Sequence, residues 1–224
     1  MAILTTKSDP FKLVWPFTLL ISGPSGSGKS TLVHEMIKQP DCMDKTPKNI
    51  VIAYSQMQQL YSDIARSTNI PVKFIKGIPA ESQIQSGSLL IIDDLLGVDS
   101  KSIAAWFTVL SHHKNTSVIY LVQNIFFKNP EHRTASLNTH YLAILKNPRD
   151  HSQILHLARQ FAPRNVQFVL SAFEQATSRP HGYLVLNFKQ STPDLLRVKD
   201  SLFKDACFYV DKNIGQPYSL SSAD

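Results

Sequence analysis

The chain is poor in the residues that several protein classes depend on. It has two cysteines among 224 residues, Cys42 and Cys207. Two distant cysteines make no disulfide framework, and neither sits in a CxxC pair, so a reducing compartment is expected. Its histidines have no zinc-ligand spacing: His112 and His113 are adjacent, and His151 and His156 lie in a helix-like stretch and read as ordinary helix residues. No apolar run approaches the ~20 residues that cross a bilayer. The opening "MAILTTKSDPFKLVW" has no basic head followed by a long apolar stretch, so neither a secretory signal nor a membrane partner is expected. Glycine is scarce at eight residues, and three of the eight, Gly23, Gly26 and Gly28, crowd into one short stretch.

What remains is the composition of an ordinary soluble domain, 43% hydrophobic and 18% charged. Its length suffices for one sizeable core. A net charge of +6 favours polyanionic partners such as nucleic acid. Apolar runs alternate with helix-like segments. "FTLLISG" (17–23) precedes "STLVHEMIKQ" (30–39), where Leu32, Val33, Met36 and Ile37 share a helical face. "NIVIAYS" (49–55) precedes a helical 56–67, in which Leu60 and Ile64 are spaced to share a face. "VKFIKG" (72–77), "SLLIIDDLL" (88–96) and "SVIYLVQN" (117–124) read as strands, with a helix over 100–113. Consecutive apolar positions in 88–96 and 117–124 imply strands covered on both faces. Residues 125–138 read as a loop, 139–147 as a strand, 151–162 and 165–177 as helices, and 181–189 as a late strand. The alternation predicts an α/β fold, a mainly parallel sheet with helices on both faces. A single domain over 1–210 is expected, with a mobile tail over 211–224.

The crowded glycines belong to "GPSGSGKST", residues Gly23, Pro24, Ser25, Gly26, Ser27, Gly28, Lys29, Ser30 and Thr31, a full match to GxxxxGK[ST] between a strand and a helix. Glycines let the backbone curl and approach an anion, while loop N–H groups and the helix N-terminus supply positive potential. Lys29 is expected to bridge the β- and γ-phosphates of a nucleotide and Ser30 to ligate Mg²⁺. Such a loop needs an acid at a neighbouring strand tip. "LLIIDD" supplies Asp93 for the Mg²⁺ and Asp94 to orient or deprotonate attacking water. Gln123, ending the next strand, can orient water beside the γ-phosphate if the strands are neighbours.

Other users of such loops lack support. There is no LSGGQ-type transporter signature, no NKxD base-reading motif and no arginine-rich kinase lid. A nucleotide or nucleoside-phosphate kinase, a non-packaging DNA-translocating ATPase and a nucleotide-gated binding module are the alternative readings.

With "GPSGSGKST", "LLIIDDLL", "YLVQNIF" and above all "HRTASLNTHYLAILKNPRDHSQILHLARQ", the chain resembles the poxvirus-type genome-packaging ATPases of the FtsK/HerA superfamily, whose relatives occur in large DNA viruses, virophages and Maverick/Polinton elements. The resemblance covers roughly residues 15 to 165. It implies a RecA-like core, ATP hydrolysis with Mg²⁺, a homo-oligomeric ring of five or six subunits, and movement of double-stranded DNA into a capsid through its portal vertex. It implies action at assembling virions in the host cytoplasm or nucleus. Carried residue by residue, Lys29 and Ser30 are its phosphate-loop pair, Asp93 and Asp94 its paired acids and Gln123 its sensor. Arg133 is its arginine finger, with Arg149 as the second candidate.

Overall fold

A computed structural model describes residues 1–5, 11–93, 95, 100–126 and 129–211. Asp94 and residues 212–224 of the expected tail lie outside the described residues. The strands are β1 (Ala2–Thr5), β2 (Thr18–Ser22), β3 (Asn49–Tyr54), β4 (Val72–Lys76), β5 (Ser88–Asp93), β6 (Ser117–Val122), β7 (Tyr141–Leu145), β8 (Tyr183–Asn187), β9 (Val198–Lys199) and β10 (Cys207–Val210). They form one sheet in the order β1-β10-β9-β8-β7-β2-β6-β5-β3-β4. From β7 to β4 every neighbouring pair is parallel. From β7 to β1 every pair is antiparallel.

The central strands bury every residue: "TLLIS" in β2, "SLLIID" in β5, "SVIYLV" in β6 and "YLAIL" in β7. Such runs fit a sheet with both faces covered, since successive side chains point to opposite sides. Leu19, Ile21, Ile50 and Ile52 face α1 (Lys29–Lys38) and α2 (Gln59–Arg66), meeting Val33, Met36, Tyr61 and Ile64. Leu20, Val118, Tyr120 and Leu142 face the other layer, meeting Trp106, Ala135, Leu157 and Phe173. That layer contains α5 (Pro130–Leu137), α6 (Ser152–Phe161) and α7 (Val166–Ala176). Each fully buried Leu or Ile contributes about 1.5–3 kcal/mol from removal of apolar surface. At the edge, β4 is only half-buried and presents Lys73 and Lys76 to solvent, which discourages further strand pairing. No helix of the described residues is long and apolar enough to cross a membrane.

The parallel strands and their helices stand where the periodicity predicts them, with three departures. In α2 the buried pair is Tyr61 and Ile64, while Leu60 only packs at the margin. The helix expected over 100–113 is built as α3 (Ser100–Ala105), a π-helical turn over Trp106–Leu110, and α4 (Ser111–His113). Its wide turn sends both Trp106 and Phe107 into the core. The segment read as a loop contains α5. Asn129 caps it by accepting from the N–H groups of Glu131 and His132, with Pro130 in the first turn. Its core contribution is only His132 and Ala135, so it lacked the apolar stripe that marks a helix in sequence. The "NPE" start was the available signal, a capping Asn, then Pro, then an acid in the first turn.

Candidate functional site

The loop of residues 23–28 joins β2 to α1 at the C-terminal edge of the parallel strands. The ladder to β6 runs one residue past β2, with the Gly23 N–H donating to the Val122 carbonyl at 3.1 Å. Gly26 and Gly28 have φ of 76° and 106°, in the left-handed region. Gly28 caps α1 there, and its carbonyl accepts from the Leu32 N–H at 2.8 Å. A Cβ on Gly23 would stand 2.7 Å from Ser27 Oγ and 2.9 Å from Leu145 Cβ, so the loop closes tightly against β7. Pro24, Ser25 and Thr31 lie on or near the surface. Lys29 folds back over the loop, and its Nζ donates to the carbonyls of Gly23 at 2.7 Å and Pro24 at 3.0 Å. The ammonium thus stands at the mouth of the loop, against carbonyls that bind it less strongly than an anionic phosphate does.

Two strands over, Asp93 ends β5, buried at 4% exposure. The Ser30 hydroxyl donates to its Oδ2 at 3.3 Å, which brings together the two expected Mg²⁺ ligands. The Tyr61 hydroxyl donates to the same oxygen at 2.7 Å. Tyr61 escaped the sequence reading because a lone aromatic on a helix looks like core. It packs as core too, with ring centroids 5.8 Å from Tyr54 and 6.5 Å from Phe74. The Ser30–Asp93 pair suits Mg²⁺, a hard, small cation that takes one or two protein oxygens and leaves its other positions to water and phosphate. Among the described residues no cluster of three or more His, Cys, Asp or Glu forms a protein cage for a metal.

Gln123 directly follows Val122, whose carbonyl holds Gly23, so β6 delivers it beside the loop, exposed to solvent. The strand carrying it lies between the phosphate-loop strand and the Asp93 strand, hydrogen-bonded to both. Arg133 is exposed in the first half of α5, on a helix rather than on the expected loop. Its neighbour His132 turns inward, buried, with Nδ1 3.1 Å from the Tyr120 hydroxyl and its ring stacked on that tyrosine. Burial pushes the His132 imidazole below its ordinary pKa. The pairing ties α5 to β6 and leaves Arg133 outward. Arg149 is exposed in the turn after β7, and Asn147 caps that turn by accepting from the Arg149 N–H.

No family model matches the chain, and no curated protein matches it. Solved structures do. The genome packaging NTPase B204 from Sulfolobus turreted icosahedral virus 2, in complex with ATPγS, has a TM-score of 0.54 at 13% identity, covering 79% of this chain and 95% of that one. The same protein with AMPPCP gives 0.52 at 11%, covering 79% and 94%. The DNA-packaging ATPase B204 from Sulfolobus Turreted Icosahedral Virus gives 0.51 at 12%, covering 77% and 92%. The shared feature is the fold, a RecA-like P-loop core with a mainly parallel sheet.

Proposed function

We propose that the chain is a Mg²⁺-dependent ATPase that moves double-stranded DNA into a viral capsid. One observation carries the reading: the phosphate loop, the Ser30–Asp93 pair and Gln123 converge on one sheet edge, in a fold shared with a genome packaging NTPase. The sequence block from His132 to Gln160, which in the structure spans α5, β7 and α6, adds the resemblance to packaging motors.

In this reading the loop N–H groups and the α1 N-terminus hold the ATP phosphates, and Lys29 leaves its two carbonyls to bridge the β- and γ-phosphates. Ser30 and Asp93 hold Mg²⁺, which when bound neutralises charge on the phosphate oxygens. Asp94 is the water-activating base and Gln123 orients that water. Arg133, outward on α5, serves a neighbouring subunit of a homo-oligomeric ring, with Arg149 as the alternative. DNA is held by its phosphates without regard to sequence; Lys146, Arg159 and Arg164, exposed along the chain after β7, contribute together with Lys128, which lies outside the described residues. The motor acts with the capsid or its portal vertex at assembling virions in the host cytoplasm or nucleus.

The test is ATP hydrolysis with and without duplex DNA, alongside a solution mass. Several-fold stimulation by duplexes of unrelated sequence, and the mass of a closed ring, are the expected results. Phosphate transfer to an added nucleotide, with no response to DNA, overturns the motor in favour of a kinase.

A further inference from the structure

The sequence resemblance stops near residue 165, yet the chain beyond it returns to the phosphate loop. β8 pairs with β7 so that Tyr183 stands opposite Leu145, the residue whose Cβ borders Gly23. The turn feeding β8, Arg179-Pro180-His181-Gly182, is therefore set beside the loop. It closes with the Gly182 N–H donating to the Arg179 carbonyl at 3.0 Å. His181 has φ 59°, a left-handed conformation that Gly adopts freely and that Asn, Asp and His adopt more often than other side chains.

The imidazole held in that conformation reaches the loop. His181 Nδ1 lies 3.0 Å from the Ser27 carbonyl oxygen. A carbonyl oxygen can only accept, so Nδ1 carries the proton and donates. The ring also covers Gly28: a Cβ there would meet Nδ1 at 3.1 Å and the His181 Cβ and Cγ at 3.6 Å. Ser27 C=O and Gly28 N–H belong to one planar trans peptide and point in opposite directions. Holding the carbonyl toward His181 thus fixes the Gly28 N–H to point away from it. Ser27 itself spans the loop, for its hydroxyl is buried on the Gly23 side, without a hydrogen-bond partner.

We propose that His181 is a positioning residue of the phosphate loop, fixing the Ser27–Gly28 peptide for phosphate capture from the antiparallel half of the sheet. The proposal rests on the reading of this loop as a nucleotide site. It assigns to the segment beyond residue 165 a direct part in nucleotide affinity.

Two variants separate the side chain from the backbone. His181→Gly accepts the left-handed conformation but removes the donor. His181→Asn accepts it too and offers an amide N–H to the same carbonyl. Binding of ATPγS and steady-state hydrolysis of ATP are measured in the full chain, with melting temperature as the structural readout. The Gly variant is expected to bind ATPγS about three- to tenfold more weakly, the worth of one such hydrogen bond. KM should rise in step, kcat should stay within about twofold, and the melting temperature should not fall. The Asn variant should recover most of the affinity. Unchanged ATPγS binding in the Gly variant, against clear binding by the wild-type chain, overturns the role of His181 alone. Equal loss of affinity and of melting temperature in both variants overturns it as well, leaving the turn a structural element. A wild-type chain that binds no ATPγS overturns the phosphate-loop reading and His181 with it.

Discussion

The two halves of the sheet differ in what their geometry allows. In the parallel half, from β7 to β4, the strands share one direction, so their C-terminal ends meet at one edge. That edge collects the phosphate loop after β2, Asp93 at the end of β5 and Gln123 after β6. Parallel α/β sheets gather binding groups at this edge because each strand delivers its following loop to the same place. In the antiparallel half, β8, β9, β10 and β1 alternate in direction, so successive loops fall at opposite edges. Among the described residues of this half, the turn before β8 is the one that reaches the site. The parallel half should carry the chemistry, and the antiparallel half should carry stability with a single contact to the loop.

The largest expected effect tests the first clause. Lys29→Ala removes the ammonium at the loop mouth while leaving the buried face of α1 intact. ATP hydrolysis should fall by about 10²–10³ or more, the scale of losing one preorganised charge contact, with an unchanged circular dichroism spectrum. A folded variant that turns over at the wild-type rate would remove the loop from the chemistry.

The second clause predicts the reverse pattern at Phe208. This side chain on β10 is fully buried, and its ring centroid lies 5.8 Å from the buried Lys199 ammonium, which also stands 3.7 Å over Phe11. Phe208→Ala should cost about 3–5 kcal/mol of stability from lost burial and a residual cavity, measured by denaturant titration. At low temperature the folded variant should bind ATPγS as the wild type does. A large loss of affinity there would make the antiparallel half part of the site.

The same division explains what could be read in the sequence. The central parallel strands are continuous apolar runs such as "LLIID" and "VIYLV", and burial on both faces is what makes them continuous. The tight loop between β2 and α1 was legible because the GxxxxGK[ST] pattern sets glycines at fixed spacing, and Gly26 and Gly28 take the left-handed conformations that spacing implies. β9, with two residues, and the short β1 and β10 have no such signature, for their pairing is set by partners distant in sequence rather than by local pattern. α5 was missed because its core contact is small and partly polar, through His132. Tyr61 and His181 were missed for a further reason: a hydroxyl on a core-facing ring and an imidazole in a turn acquire meaning only when the fold brings Asp93 and Ser27 to them.

Tyr61 gives a smaller effect that sharpens the picture of the parallel half. Its hydroxyl shares Asp93 Oδ2 with Ser30, so it orients the carboxylate without standing at the surface. Tyr61→Phe keeps the ring packing and deletes that one donor. Loss of a hydrogen bond to a charged group is worth about 1.5–3 kcal/mol. The expected result is a weaker apparent affinity for Mg²⁺ in the ATPase assay, about tenfold, with a melting temperature close to wild type. An unaltered Mg²⁺ titration would reduce Tyr61 to a core residue.

The smallest effect lies at the opposite edge, where β2 and β7 begin. His140 Nδ1 accepts from the Thr18 N–H at 3.2 Å, so the ring must be unprotonated there to make the bond. Burial, with Lys189 and His112 nearby, pushes the imidazole down from 6.5 to about 4. Between those values the unfolded chain binds a proton that the folded chain does not. Stability therefore rises with pH through this window, is fully present above pH 6.5 and is lost as the pH falls toward 4. His34 and His132, also lowered by burial, act in the same direction, so the wild-type slope alone does not isolate His140. His140→Asn does, because its amide oxygen can accept from Thr18 and does not titrate. Unfolding free energies at pH 7, 6, 5 and 4 should converge between wild type and variant as acid is added, or cross in favour of the variant. Because His140 lies away from the phosphate loop, ATPγS affinity at pH 7 should be the same in both. Parallel pH slopes would mean that His140 does not titrate with folding, and a change in nucleotide affinity would mean that the two edges of the parallel half are coupled.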